Sequence, residues 1–440
     1  MAMNITYLIL LLSLLPAKLG YSADEGCLKP SFVITGLHRT SETWFRDYLK
    51  LDRLKAWTED DAIRMRQKIL TTDIFTSANF NHQLLPNKCE VSIDLTEKWT
   101  TIPVVRGAYG GGTPLVIVGG YETNAFGQLL ALGGELRRYG SMAPGAFFFF
   151  KSPRAWRGRG LWGGELWLDR RQRDFFDSDG KVYGYVKSES WTGKFQWLYP
   201  IGSVEESGGW QAGFQAQLLQ ENPSSFVLQP DYTGTSTKLP ANLHTNEKPG
   251  YGVMAAPMVA YDDLSVDGLN YSGQKSKFSV GATSSHTGAG RFAEAEFYGF
   301  SHLPGDINLA GRVFAASTSE DTVGAIYYLG GFDSIRGLPD GIHYGNNILY
   351  GNFEARVMTA KWQYAHLQSA LFVDSGSAWM RGGEFSDGRE TSLGGGIRIA
   401  IPQIYRFVIR IDYGMSLGAT KSRGLSIGLN QFFQPYKLVF

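Results

Sequence analysis

Phe332-Asp333-Ser334-Ile335-Arg336-Gly337-Leu338-Pro339-Asp340-Gly341 holds an arginine between an apolar residue and a run of turn formers. It lies in a long connection, about 319–345, between two segments that read as strands. Leu-Pro-Asp-Gly supplies tight-turn chemistry directly after Ile-Arg-Gly, so the loop is expected to be folded and not a free tip. Two later segments carry carboxylates suited to its arginine: Glu354 in Asn352-Phe353-Glu354-Ala355-Arg356, and Asp374 in Phe372-Val373-Asp374-Ser375-Gly376. If both segments are strands of one barrel, side-chain alternation allows both carboxylates inside. A guanidinium is a planar fork that serves two carboxylates at once, so Arg336 can anchor the loop in the lumen. The competing reading is a surface loop with a solvated arginine.

Ile335-Arg336-Gly337 in a late loop, Glu354 on the next strand and Phe-x-Asp-x-Gly around Asp374 together resemble the BamA/TamA superfamily. That family comprises outer-membrane assembly factors and two-partner-secretion translocators. The resemblance covers about Phe32 to Phe433, with Leu338 where the motif usually has an aromatic residue. It implies an α+β POTRA domain of order β-α-α-β-β, followed by an all-β, 16-stranded antiparallel transmembrane β-barrel. It also implies that Ile335, Arg336 and Gly337 tuck into the lumen, with Glu354 and Asp374 as receivers. The implied location is the outer membrane of a Gram-negative-type bacterium, with the POTRA domain in the periplasm. The implied partners are unfolded outer-membrane or secreted client polypeptides, periplasmic or lipoprotein accessories, and outer-membrane lipid. No cofactor or metal is expected, and no enzymatic activity.

Composition agrees with a barrel. The formal net charge is +1, which gives no case for a nucleic-acid partner. There are 54 Gly, 27 Phe, 22 Tyr and 11 Trp, yet the mean hydropathy is only −0.17. Apolar lipid-facing residues alternating with polar lumen residues produce that combination, as would a soluble β-rich chain. The alternation is clearest in Phe407–Leu417. There Ile409, Ile411, Tyr413 and Met415 fall on one face, and Val408, Arg410, Asp412 and Gly414 on the other. Sixteen strands are expected, starting near Thr101, Pro114, Gln128, Gly145, Leu161, Lys181, Gly209, Gly250, Gln274, Arg291, Ile307, Asn346, His366, Thr391, Arg406 and Gly424. The long connections, about 221–249, 319–345 and 380–390, then all fall on one rim and the short turns on the other, the asymmetry of outer-membrane barrels. Arg356, Arg398, Arg410 and Asp412 read as lumen residues, most simply as a solvated wall. Arg154, Arg157, Arg159, Arg170, Arg171 and Arg173 form a basic zone that reads as a solvated turn and wall, or as a contact for anionic headgroups.

Before the barrel, residues 1–23 read as a secretory signal peptide. Ile5 to Pro16 is apolar but too short to span as a helix. Residues 29–99 form the small domain. Its strand Ser31–Thr35 is followed by a helix bearing Trp44, Phe45, Tyr48 and Leu49, opened by Thr40 or Ser41. A second helix starts at Thr58 with Asp61 in a capping-box position. A hairpin around Pro86-Asn87-Lys88 closes the domain. Its sheet edge would suit addition of a client strand; a plain brace for the barrel mouth is the alternative. Cys27 and Cys89 are the chain's two cysteines. An oxidising compartment favours a disulfide between them, with two free thiols as the alternative.

Residues 100–440 make the barrel. Its first strand carries Pro103, Gly107 and Gly110-Gly111-Gly112, which weaken a ladder. Its closing partner, Gly424 to Phe433, carries Leu425, Ile427, Leu429 and Phe433. A first-to-last lateral seam built from these residues is expected to open toward lipid, or to be a strained but permanent closure. Gly424-Leu425-Ser426-Ile427-Gly428 matches G-x-S-x-G in letters, but an uninterrupted strand cannot form a nucleophile elbow. The expected function is assembly, insertion or translocation of polypeptide. The alternatives are a dedicated translocator for one partner, and a passive or plugged channel.

Overall fold

The computed structural model describes residues 27–432 except 86–87, 110–113, 141, 155–159, 203–208, 246–247, 268, 287, 332, 406, 419 and 430. The expected signal peptide, Gly110-Gly111-Gly112, Arg157, Arg159 and Phe433 lie outside the described residues.

The N-terminal domain begins with two short strands, β1 (Cys27–Leu28) and β2 (Pro30–Thr35). Helix α1 (Glu42–Leu49) starts at Ser41, whose hydroxyl accepts the Trp44 N–H at 3.3 Å, and stops at Lys50 in the left-handed region. After β3 (Ala56–Trp57), helix α2 (Glu59–Thr71) opens with a complete capping box between Thr58 and Asp61. Strands β4 (Phe75–Leu85) and β5 (Lys88–Glu97) follow, and the sheet order is β2-β5-β4. Strand β2 runs parallel to β5 and sets Pro30 opposite Cys89. Cys89 is disulfide-bonded, and the one other cysteine of the chain is Cys27. The small strands β1 and β3, which pair with each other, add to the expected β-α-α-β-β order. Phe45, Trp57, Ile69, Val91 and Ile93 fill the core under the helices.

Sixteen antiparallel strands close the barrel. They are β6 (Thr101–Tyr109), β7 (Leu115–Ala125), β8 (Leu130–Tyr139), β9 (Gly145–Arg154), β10 (Gly160–Phe176), β11 (Val182–Pro200), β12 (Gly209–Glu221), β14 (Gly250–Asp262), β16 (Asn270–Ser285), β17 (Gly288–Leu303), β18 (Ile307–Thr318), β21 (Asn347–Lys361), β22 (His366–Trp379), β23 (Glu390–Ala400), β24 (Val408–Ser416) and β25 (Arg423–Leu429). Short strands β13 (Phe226–Leu228) and β15 (Ser265–Asp267) pair onto the wall, and β19 (Tyr327–Leu329) pairs with β20 (His343–Gly345). Every expected strand start lies within four residues of the observed one, the largest gap being Gln274 against Asn270. Alternation makes the wall two-faced: Tyr413, Met415, Phe353 and Leu371 are exposed outside, while Arg410, Asp412, Glu354 and Phe372 are buried inside.

The N-terminal domain sits on the rim of short turns. Ser41 N–H donates to Gly127 O at 3.0 Å, and Asn124 Nδ2 donates to Thr40 Oγ1 at 3.0 Å. Gly127 has φ +67°, and a Cβ there would press into the backbone of Arg39 and Ser41. Trp99 exchanges backbone hydrogen bonds with Gln403 and Tyr405 at 2.8 Å each, and the Arg39 guanidinium lies 3.9 Å over its ring. Glu97 orders the contacting loop by accepting the N–H groups of His38, Arg39 and Thr40.

Closure of the barrel differs from expectation. Strand β25 pairs with β6 at three positions: Leu425↔Tyr109, Ser426↔Ala108 and Ile427↔Gly107. Among the described residues the last strand ends at Leu429, with Gln431 and Phe432 outside it; the expected end at Phe433 lies outside the described residues. Leu429 and Pro103 lie beyond these three pairs; on their other edges Leu429 is laddered to Ile409 and Pro103 to Gly120. The register would place residue 431 opposite Pro103, which has no N–H to donate. Gln431 and Phe432 are instead buried inside the barrel.

Candidate functional site: an arginine clamp in the barrel lumen

The 319–346 connection folds into the lumen because its own sequence makes it compact. Gly330, Gly331, Gly337 and Gly341 all have positive φ. Ser334 Oγ accepts the Gly330 N–H at 2.7 Å and donates to Gly330 O at 3.0 Å. Ile335 and Leu338 are buried with Leu329, Ile342, Ile348 and Tyr350. Leucine thus fills the place of the motif's aromatic residue as a packing group.

Arg336 is buried and clamped on every side. Its Nε and Nη2 donate to the two oxygens of Asp374 at 2.8 Å each, and its own backbone N–H reaches Asp374 Oδ2 at 3.1 Å. Nη1 donates to Glu354 and lies 3.5 Å from Asp412 Oδ2. The flat faces of the guanidinium carry aromatic rings: Phe372 at 3.4 Å and Phe432 at 3.8 Å from Cζ to centroid.

The strands hold the receivers in place. Glu354 on β21 and Asp374 on β22 both point inward, as does Asn352, opposite Asp374 in the ladder. Asn352 Nδ2 donates to Ser334 O at 2.6 Å and Asp374 Oδ1 at 2.9 Å, tying loop to wall. Arg356 Nε donates to Glu354 at 2.7 Å, and Arg398 donates to Glu354 at 3.2 Å and Asp412 at 2.5 Å. These arginines are buried in an ion network, so the expectation of a solvated wall is corrected at Arg356, Arg398, Arg410 and Asp412. The reason is what fills the lumen: Arg336 of the loop reaches Asp412, Gln431 caps Arg398, and the Phe432 ring lies over Arg410. Alternating parity reveals which face a residue lies on and says nothing of what fills the lumen there.

Gly337 seals the contact with β24. A Cβ on Gly337 would lie 2.6 Å from the Gly414 carbonyl, and one on Gly414 would lie 2.9 Å from the Arg336 carbonyl. Ser422, in the β24–β25 connection, donates from Oγ to Gly337 O at 2.8 Å. Sequence reasoning missed Asn352, Gly414, Ser422, Gln431 and Phe432. Only the Gly at 414, in an otherwise bulky alternating strand, carried a readable signal.

The other singled-out residues lie elsewhere. Gly107, Leu425 and Ile427 lie in the seam ladder, while Pro103 and Leu429 lie on the same two strands just beyond it. In the basic zone Arg170 pairs with Glu189 at 2.7 Å, Arg171 with Asp169 at 2.6 Å, and Arg173 lies over the Tyr328 ring at 4.2 Å. Among the described residues no group of three or more His, Cys, Asp or Glu side chains could hold a metal ion.

Residues 295–433, which contain the loop, its receivers and the closing strands, match the Omp85 superfamily domain. The barrel carries an Omp85 superfamily domain. Solved structures show a likeness in fold over most of the chain. BamA from Haemophilus ducreyi, lacking POTRA domains 1-3, aligns at 13% identity over 91% of this chain and 84% of its own, with a TM-score of 0.53. CdiB from Acinetobacter baumannii aligns at 13% over 92% and 74%, TM-score 0.58. CdiB from Escherichia coli aligns at 10% over 95% and 93%, TM-score 0.51. No curated protein matches in sequence.

Proposed function

We propose that this Omp85 barrel moves polypeptide into or across the outer membrane by letting an extended client segment add to an unpaired strand edge. The observation that carries the reading is the seam. Strand β6 is laddered to β7 from Thr101 to Ala108, yet among the described residues it meets β25 at three positions, and Val105 and Leu429, which the register would set opposite each other, are not paired. The remaining edge of β6 offers backbone groups that lipid cannot satisfy, so an incoming strand gains hydrogen bonds there. The exposed apolar outer face supports placement in a membrane, and the Omp85 likeness supports the outer one. The N-terminal domain then faces the periplasm and acts as a POTRA domain. Its sheet, docked on the turn rim, would deliver clients to the mouth by the same strand addition. No bond chemistry, metal or cofactor is needed, because the energy comes from client folding and burial in lipid. The partners are client polypeptides, accessory periplasmic or lipoprotein factors, and lipid.

A passive channel is the poorer reading, since the 319–346 loop and the Gln431–Phe432 segment occupy the lumen. General assembly and single-partner secretion share the seam and differ in the number of clients. Quantitative proteomics of outer membrane and medium, with the seam locked by an engineered disulfide, tests the proposal. Loss of many barrels indicates assembly, loss of one exported protein indicates dedicated secretion, and no loss overturns both.

A further inference from the structure

The clamp around Arg336 is completed by a residue that belongs to neither the loop nor the wall. Phe432 lies past the end of β25, where the chain has left the barrel sheet and entered the lumen. Its ring covers one face of the guanidinium at 3.8 Å and lies 4.9 Å from the Arg410 guanidinium. It also packs with Tyr271, Tyr298 and Phe300, which line the wall away from the seam. Gln431 beside it is held by two side chains: Arg398 Nε donates to its Oε1 at 3.2 Å, and its Nε2 donates to Gln368 Oε1 at 3.0 Å. Arg398 in turn pairs with Glu354 and Asp412, the other ligands of Arg336. The end of the seam strand is therefore wired into the loop anchor.

We infer that Gln431 and Phe432 form a latch that holds the end of β25 off the edge of β6. On this inference, which rests on the strand-edge reading above, Phe432 is a positioning residue for both the lumen loop and the seam. Two forces act on the end of β25. Residue 429 is due opposite Val105 in the seam register, and Val105 is 64% exposed on the outer face. An unpaired edge at that depth is costly in lipid, so pairing pulls the strand outward. Burial of Phe432 against a desolvated guanidinium, with both amide ends of Gln431 satisfied, pulls it inward. Pro103 tips the balance, because continued pairing would meet a residue without an N–H. When the loop leaves, Phe432 loses the nearer of its two guanidinium contacts and keeps only the more distant Arg410, and the strand is free to zip onto β6. The edge is open while the loop is seated.

The test uses the purified full-length protein in liposomes, with no client present, so its outcome is independent of whether the barrel is an insertase. Trypsin cleavage after Arg336 reports loop release, since the guanidinium must leave the clamp to enter a protease. Oxidation of a Val105→Cys/Leu429→Cys pair reports zipping, and a Gly107→Cys/Ile427→Cys pair serves as the control already in register. Phe432→Leu, which keeps bulk and loses the ring, is expected to raise both the cleavage rate and the 105/429 oxidation rate by roughly tenfold or more. The 107/427 pair should be unchanged. Phe432→Tyr, which keeps the ring, should restore both rates. If either rate stays at the wild-type value in Phe432→Leu, or if Phe432→Tyr fails to restore them, the latch is wrong. Should Phe432→Leu yield no folded barrel, Gln431→Ala decides by the same two rates: a joint rise supports the latch, and anything else overturns it.

Discussion

Replacing Arg336 by alanine should unseat the lumen loop, and the geometry indicates how strongly. Glu354 would keep Arg356 and Arg398 as counter-ions at 2.7 and 3.2 Å, so its charge stays compensated. Asp374 would not: among its hydrogen bonds it would keep only the backbone N–H of residue 336 and the Asn352 amide, and lose both charged bonds. One buried, uncompensated carboxylate costs about 3–5 kcal/mol. At ~1.4 kcal/mol per tenfold, the displaced-loop population should rise roughly 100- to 4,000-fold. Chymotrypsin digestion measures this directly, because Tyr327 and Tyr328 are half-buried in the seated loop and cleavage tracks the open population. Arg336→Ala should accelerate cleavage by at least 100-fold, while Arg336→Ala/Asp374→Ala should fall short of the summed single effects by roughly 1 kcal/mol or more. Cleavage within twofold of wild type, or strict additivity in the double variant, would refute the argument.

Two further changes probe separate joints. Gly414→Ala places a methyl 2.9 Å from the Arg336 carbonyl, whereas Gly395→Ala meets nothing nearer than 3.5 Å; the first should raise loop cleavage at least tenfold and the second should leave it unchanged. Thr58→Ala should cost helix α2 about 1 kcal/mol, read as a lower midpoint for unfolding of the N-terminal domain. The Asp61 carboxyl is pushed up by burial, but the Thr58 hydroxyl and N–H and the Arg64 guanidinium more than offset this and hold it below its ordinary value of 3.8. A depressed carboxylate stabilises the fold fully above its unfolded pKa and progressively less as pH falls through the folded one. The Thr58→Ala defect should therefore be largest near neutral pH and shrink below about pH 4.

The barrel was largely readable because period-two alternation survives at nearly every strand, even where loops are long. Arg336, Glu354 and Asp374 could be associated from parity and charge alone. What could not be read is depth. Alternation places Arg398 and Asp412 on the inner face, but what covers them comes from elsewhere in the chain: Gln431 over Arg398, and Arg336 of the loop at Asp412. The end of β25 misled for a related reason. Leu425, Ile427 and Leu429 alternate with Ser426, Gly428 and Asn430, so a strand continuing past Leu429 is the natural expectation. The tertiary pull on Gln431 and Phe432, together with the missing donor at Pro103, overrides that local pattern. The two-residue strands β1 and β3 are too short to carry any pattern.

On the proposed function, the β6–β25 seam is the working part of the molecule. Gly107→Cys and Ile427→Cys are register partners, and antiparallel partners lie at a Cα separation that a disulfide spans. The most direct measurement locks that pair in living cells and quantifies proteins of the outer membrane and medium before and after reduction. The account predicts that clients disappear from their destination while the seam is oxidised and return when the bond is reduced. Normal client levels with the seam fully oxidised would contradict it.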